Sequence, residues 1–273
     1  MIAWCLALLV GPVLGAVPPV EMVIGPEPQV VLAGVPEQVE IRFRNRSNQT
    51  WAGRVSRRIF QASSATAMPV GEVCGVRPLT IPARQTVLEQ VALTFPTVRA
   101  ETRFLVKWFV DDVPVAGATA VSAIPTNALQ ELEALAGDAG LGLLDPHDRL
   151  SGAFERAGVR FAKLGLRDLD CYQGKLAFLC TDDLTPTESS GLKKSLRKLL
   201  AGGANVLWFH GAESERDEPS ITCWRTGAAG TLITVPGPPG LGAALSGGEQ
   251  KRLVALTRFV VSIDRHTPVQ AIR

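Results

Sequence analysis

The stretch LAFLCTDDLTPTESSGLKKSLRKLLAGGANVLWFH, residues Leu176 to His210, decides the fold of the second half of the chain. It begins and ends with a short apolar run, 176–180 and 205–209, of the kind that forms a buried strand. Between the two runs, TPTE at 185–188 predicts a capped helix start, and leucines at helical spacing lead to Gly202-Gly203, which end the helix. A strand, a helix and a second strand in this order predict parallel pairing.

The same alternation of strands and helices continues on both sides of this unit. LGLLD at 141–145 and TLITV at 231–235 are further strand-like runs, and helical segments separate them from their neighbours. Residues 128–273 are therefore predicted to form a three-layer α/β domain, with a mostly parallel sheet and helices on both faces.

In the first half of the chain, apolar and polar residues alternate with a period of two, which is typical of strands. In QVEIRFRN at 38–45 and TRFLVKWFV at 102–110, apolar and polar side chains alternate, which indicates half-buried strands. Several such strands, separated by turns rich in Pro, Gly and Asn, predict an antiparallel β-sandwich of immunoglobulin-like type over residues 17–124.

The first sixteen residues, MIAWCLALLVGPVLGA, are apolar, carry no charged side chain and end in small residues. This pattern predicts a signal peptide over 1–16 and a periplasmic or extracellular protein. An N-terminal membrane anchor is the alternative, although the run is shorter than the roughly 20 residues that a spanning helix needs. No span is predicted in the mature chain.

The charge balance and the short motifs exclude two classes of partner. The chain has 28 basic and 26 acidic residues, so nucleic acid is not expected to bind. LSGGEQKR at 245–252 resembles the signature loop of cassette ATPases, but no phosphate-cradling G-x-x-x-x-G-K-[ST] turn accompanies it. Ser246 and Glu249 instead predict a helix capping box, so no nucleotide and no other cofactor is expected.

Longer phrases carry a resemblance to a known family. LGLLDPHDRLSGAFERAGVRF, LAFLCTDDL and LRKLLAGGANVLWFHG are similar to the class I glutamine-amidotransferase-like fold, a flavodoxin-like arrangement, in the divergent form found with exported β-galactosidase-type glycoside hydrolases. VVLAGVPEQVEIRFRNRS and LTIPARQTVLEQVALTFP resemble the sandwich domains of the same enzymes. The resemblance implies an accessory domain and, as partner, a carbohydrate or a carbohydrate-active enzyme.

The sequence departs from that family at the catalytic elbow. Amidotransferases need a cysteine in the turn after the strand, but NVLWF runs into His210-Gly211-Ala212-Glu213, which contains neither cysteine nor serine. Glutaminase chemistry is therefore not expected, and no catalytic residue or metal ligand is assigned.

Five polar residues are expected near the edge where the parallel strands end, which is the usual binding place in such sheets. They are Asp145, Asp182, Asp183, His210 and Glu213. In the first of two hypotheses they belong to a non-catalytic binding or accessory protein, in which the aspartates cap helices or turns. In the second, His210 and nearby acids serve a hydrolase that resembles the trehalose-utilisation branch of the fold. Without evidence of a pocket or of perturbed acids, the first hypothesis is favoured.

Overall fold

A computed structural model of the 273-residue chain describes residues 19–181, 185–210, 222–226, 230–236 and 245–262. The chain forms two compact units that are interleaved in sequence. Unit 1 contains the described residues up to 28 together with 38–91 and 104–120, and unit 2 contains 29–37, 92–103 and the described residues from 121 onward. Two earlier segments, 29–37 and 92–103, thus belong to unit 2, although the predicted boundary lies at 124–128.

The strands of the first part of the chain follow one another through short turns. They are β1 (Val20–Met22), β2 (Gln29–Leu32), β3 (Pro36–Asn45), β4 (Trp51–Ala62), β5 (Ala67–Ile81), β6 (Thr86–Thr94), β7 (Thr102–Val110), β8 (Val113–Pro114) and β9 (Thr119–Ile124). In unit 1, one sheet has the order β1-β3-β6, and in the other β4 pairs with β5 and β7 in antiparallel fashion.

The core of unit 1 is formed by the apolar residues of the alternating strands. Val39, Ile41 and Phe43 of β3 are buried, as their alternation predicts. Phe43 meets Trp108 of β7 edge to face, with 6.0 Å between ring centroids. Trp108 is fully buried, and its indole N–H donates to the Thr119 hydroxyl, which satisfies the one polar group of the side chain.

Strands and helices alternate in the later part of the chain. They are α1 (Glu131–Ala136), β10 (Leu141–Leu144), α2 (Ser151–Arg156), β11 (Ala162–Lys163), β12 (Leu176–Thr181), α3 (Pro186–Ala201), β13 (Asn205–His210), β14 (Thr222–Thr226), β15 (Gly230–Pro236) and α4 (Gly247–Ser262). Three short 3-10 turns accompany them, at Ala128–Gln130, Gly137–Ala139 and Asp168–Asp170.

The strands of this part form one six-stranded sheet in the order β11-β10-β12-β13-β15-β14. All neighbouring pairs are parallel except β14, which runs antiparallel to β15 at the edge. The chain thus has a β-rich part and an α/β part, as the sequence predicts for the fold class. The sequence analysis did not predict the antiparallel edge strand β14.

Two apolar cores lie on opposite faces of this sheet. The first, core A, joins side chains of β10, β12 and β13 to α1, α2 and α4, and includes Leu143, Phe154 and Phe209. The second, core B, joins the alternate side chains of the same strands to α3, and includes Leu144, Leu179 and Leu196. Helices therefore cover both faces of the sheet, as the strand-helix alternation predicts.

The two long helices begin at the predicted capping boxes. The Thr185 hydroxyl accepts from the Glu188 N–H, and the Glu188 carboxylate accepts from the Thr185 N–H. Ser246 and Glu249 exchange the same pair of bonds at the start of α4. LSGGEQKR is therefore a helix beginning. Among the described residues, no helix combines the length and the apolar character required to cross a bilayer.

Candidate functional site

A cleft opens in unit 2 between two neighbouring strands whose following helices pack on opposite faces of the sheet. Strand β10 leads into α2 on the core A face, whereas β12 leads into α3 on the core B face, and the two strands are neighbours. In open α/β sheets such a crossover leaves a crevice beyond the strand ends, where ligands usually bind. The cleft here has a volume of about 880 Å³, within the range of roughly 300–1,000 Å³ that is usual for small-molecule sites.

Polar and charged side chains form much of the cleft's lining. The described lining residues are 143–148, Ser151, 163–168, Thr181 and Glu188. Of the five residues proposed from the sequence, only Asp145 is among them. Asp182, Asp183 and Glu213 lie outside the described residues, so their predicted roles stay predictions.

Asp145 directly follows β10 and binds the backbone at the start of α2. Its Oδ2 accepts from the N–H groups of Leu150 at 2.7 Å and Ser151 at 2.9 Å. These are donors that a helix start leaves without partners inside the helix. The other oxygen, Oδ1, is buried and has no hydrogen-bond donor among the described residues. Asp145 therefore stabilises the start of α2 from outside the helix, five residues before the N-cap residue Leu150.

Asp145 belongs to the core A face of the sheet. Leu141 and Leu143 of β10 point into core A, and Asp145 continues their alternation. Cys180 lies on the same face, close enough for the charge of the Asp145 carboxylate to act on its thiol. Burial, and after it the charge of Asp145, raises the pKa of the Cys180 thiol above its usual range. Cys180 is thus a buried, un-ionised thiol, as the apolar run LAFLC indicates.

His210 ends β13 on the opposite face. Val206 and Trp208 of this strand pack against core B, and His210 continues their alternation, with 5.5 Å between the Trp208 and His210 ring centroids. The Trp208 indole N–H donates to the hydroxyl of Thr181, the residue opposite His210 in the ladder, at 2.7 Å. Asp145 and His210 therefore share one edge of the sheet but project from its two different faces.

The described residues contain no metal-ligand cluster: no group of three or more His, Cys, Asp or Glu side chains is placed to hold an ion. The sequence interpretation missed the segment 163–168, which contributes Lys163, Arg167 and Asp168 to the cleft. The segment directly follows a parallel strand, and this position could have marked it as part of a binding site. That strand, β11, has only two residues, so the sequence shows almost no periodic pattern there.

The chain matches no protein-family model and no curated protein. Among solved structures it is similar to an alkylpurine DNA glycosylase of Pseudomonas fluorescens bound to DNA, with 12% identity over 38% of this chain and 30% of that chain, at a TM-score of 0.30. A β-glucosidase of Listeria innocua shares 14% identity over 38% of this chain and 16% of its own, at 0.28. A putative lipoprotein of Bacillus anthracis shares 15% sequence identity over 38% of this chain and 71% of that protein, at a TM-score of 0.24. This chain spans less than a third of the first two proteins, and likenesses at these TM-scores carry no inference about function.

Proposed function

We propose that this protein is an exported, non-catalytic binding protein linked to carbohydrate processing, and that the cleft beyond β10 and β12 is its ligand site. The cleft supports this proposal by its place at the crossover of the sheet and by a lining that combines apolar surface with several polar and charged side chains. The link to carbohydrate rests on the resemblance in LGLLDPHDRL and the related phrases. Export rests on the apolar run at 1–16, which lies outside the described residues.

We also propose the finer fold, an immunoglobulin-like sandwich followed by an amidotransferase-like domain. Numbered along the chain, the five parallel strands have the order 2-1-3-4-5, which is the flavodoxin-like order. Two packed sheets with antiparallel pairing in unit 1 are consistent with the sandwich.

One observation carries the preference for binding over hydrolysis. A general acid and a general base must both reach the reacting atoms, within hydrogen-bonding distance or through one water. Asp145 is occupied with the start of α2 on the core A face, and His210 projects from the core B face. These two residues therefore do not form an acid–base pair across the cleft.

The proposal is tested by measuring binding and turnover on the same sample. The mature chain, without residues 1–16, is screened against oligosaccharides by saturation-transfer NMR and against chromogenic glycosides, esters and glutamine for hydrolysis. We expect saccharide binding without turnover. Hydrolysis that is lost in His210→Ala or Glu213→Ala, while near-UV circular dichroism shows an intact fold, would instead establish the hydrolase of the trehalose-utilisation-like branch.

A further inference from the structure

The described carboxylates that line the cleft are already engaged by donors of the protein. Asp145 accepts from two backbone N–H groups, and Asp148 accepts from the Ser151 hydroxyl at 2.8 Å. Asp168 accepts from the Gly165 N–H at 2.8 Å. Each of these bonds closes a local turn or a helix start, so these side chains are held in place by their own segments.

Glu188, the fourth acid of the lining, is occupied in the same way. Its carboxylate completes the capping box of α3, where it accepts from both the N–H and the hydroxyl of Thr185. The hydroxyl hydrogen bond, followed by the backbone one, holds the pKa of Glu188 below its usual range. The glutamate is therefore an acceptor committed to α3 rather than to a ligand.

The basic side chains of the lining, in contrast, are exposed and have few partners in the protein. Arg167 is exposed, and no described residue forms a hydrogen bond or ion pair with its guanidinium group. His147, also exposed, has no such partner among the described residues either. Lys163 has an exposed ion pair with Glu155 at 3.2 Å, outside the cleft lining. An exposed pair of this kind contributes little and exchanges readily.

We propose that the ligand of the cleft is an anionic saccharide, whose carboxylate or phosphate oxygens accept hydrogen bonds from Arg167 and Lys163. This inference rests on the proposed binding function and adds the charge of the ligand to it. Each described acid of the lining accepts at least one hydrogen bond from its own segment, whereas the exposed guanidinium group of Arg167 is a charged donor that a ligand can engage. A guanidinium group matches carboxylate and phosphate oxygens with two parallel N–H donors, which makes Arg167 the main contact.

The test uses ligands that differ only in charge. Binding of trigalacturonate is compared with that of its fully methyl-esterified form, and binding of glucose 6-phosphate with that of glucose, by titration calorimetry on the mature chain. The first pair reports a carboxylate and the second a phosphate. Arg167→Ala is the test variant. Arg197→Ala is the matched control, since Arg197 is exposed on α3, about 13 Å along the helix from Glu188 and outside the lining.

We expect at least one anionic ligand to bind at least about tenfold more tightly than its neutral counterpart, and Arg167→Ala to remove most of that preference. Arg197→Ala should leave the affinity unchanged, and added salt should weaken the anion's binding. Equal binding of charged and neutral forms, insensitive to Arg167→Ala, would overturn this inference while the binding function stands. Failure of every saccharide, neutral or charged, to bind would overturn the proposed function and this inference with it.

Discussion

Asp145 and His210 lie at the same carboxyl-terminal edge of one parallel sheet, yet they project from its opposite faces. Asp145 continues the side of β10 that packs in core A, and His210 continues the side of β13 that packs in core B. A shared edge alone therefore does not bring two polar residues into one reaction centre. The connections α2 and α3, which leave on different faces, determine which residues meet.

The hydrogen bonds that Asp145 accepts at the start of α2 predict a stability effect. Asp145→Ala removes the acceptor for the Leu150 and Ser151 N–H groups and should lower the free energy of unfolding by about 1–2 kcal/mol. Asp145→Asn keeps one acceptor and should lose less. Urea denaturation measures both variants. Asp138→Ala is the control at an exposed aspartate, with an expected change within about 0.5 kcal/mol. If Asp145→Ala is as mild as the control, Asp145 does not stabilise the start of α2.

Two adjacent glycines at the start of α4 should respond to alanine in opposite directions. A Cβ on Gly247 would lie 2.5 Å from the carbonyl carbon of Val31 in β2, whereas one on Gly248 would meet nothing closer than 4.0 Å. Gly247→Ala should therefore cost about 1–3 kcal/mol, and Gly248→Ala should be neutral or stabilise by up to about 1 kcal/mol. Thermal and urea unfolding of the two single variants test this. Similar effects of the two substitutions would contradict the close approach of α4 to β2.

Burial predicts two classes of cysteine reactivity. Cys74 and Cys171 are exposed, whereas Cys180 and Cys223 are buried. Because the thiolate is the reactive form and the pKa of Cys180 is raised, Cys180 should resist alkylation in native buffer at pH 8. Iodoacetamide labelling followed by peptide mass spectrometry should show Cys74 and Cys171 modified first, and the buried pair only in denaturant. Modification of Cys180 at the rate of Cys171 would show that the thiol is accessible.

Glu101 should contribute a pH-dependent part of the stability of unit 2. Its carboxylate accepts from the Lys251 ammonium at 2.6 Å and from the Ser122 hydroxyl, and these bonds, Lys251 first, hold its pKa below the ordinary value of 4.5. A depressed folded pKa gives stability that is present above pH 4.5 and is lost as the pH falls through the lower folded value. Since the pair is exposed, Glu101→Gln should cost less than about 1 kcal/mol at pH 7.

The measurement is urea unfolding of wild type and Glu101→Gln at pH 7, 4.5 and 3. The stability difference between them should shrink toward the lowest pH. A difference that grows on acidification would have the wrong sign for a stabilised carboxylate.

Local patterns in the sequence predicted the local structure well. The capping boxes at Thr185 and Ser246 were predictable, because a cap and its partner are only three residues apart. The alternation in β3 and β7 predicted which side chains are buried, since a strand repeats every two residues. The contact of Asp145 with the start of α2 followed from its place between an apolar strand and a helix. These features depend on neighbours in the sequence, so the sequence carries them directly.

By itself the sequence determined most strands and helices of the α/β part, the starts of α3 and α4, and the division of the chain into a β-rich part and an α/β part. Only the tertiary structure decided that β10 and β12 are neighbours, that Arg167 faces their ends, and that Gly247 lies against the backbone of Val31. The tertiary structure also decided from which face of the sheet Asp145 and His210 project. The strand period of two shows which residues share a face, but it does not show which helix packs on that face. Such contacts join residues far apart in the chain, and their energies depend on which surfaces pack together rather than on any short pattern of residues.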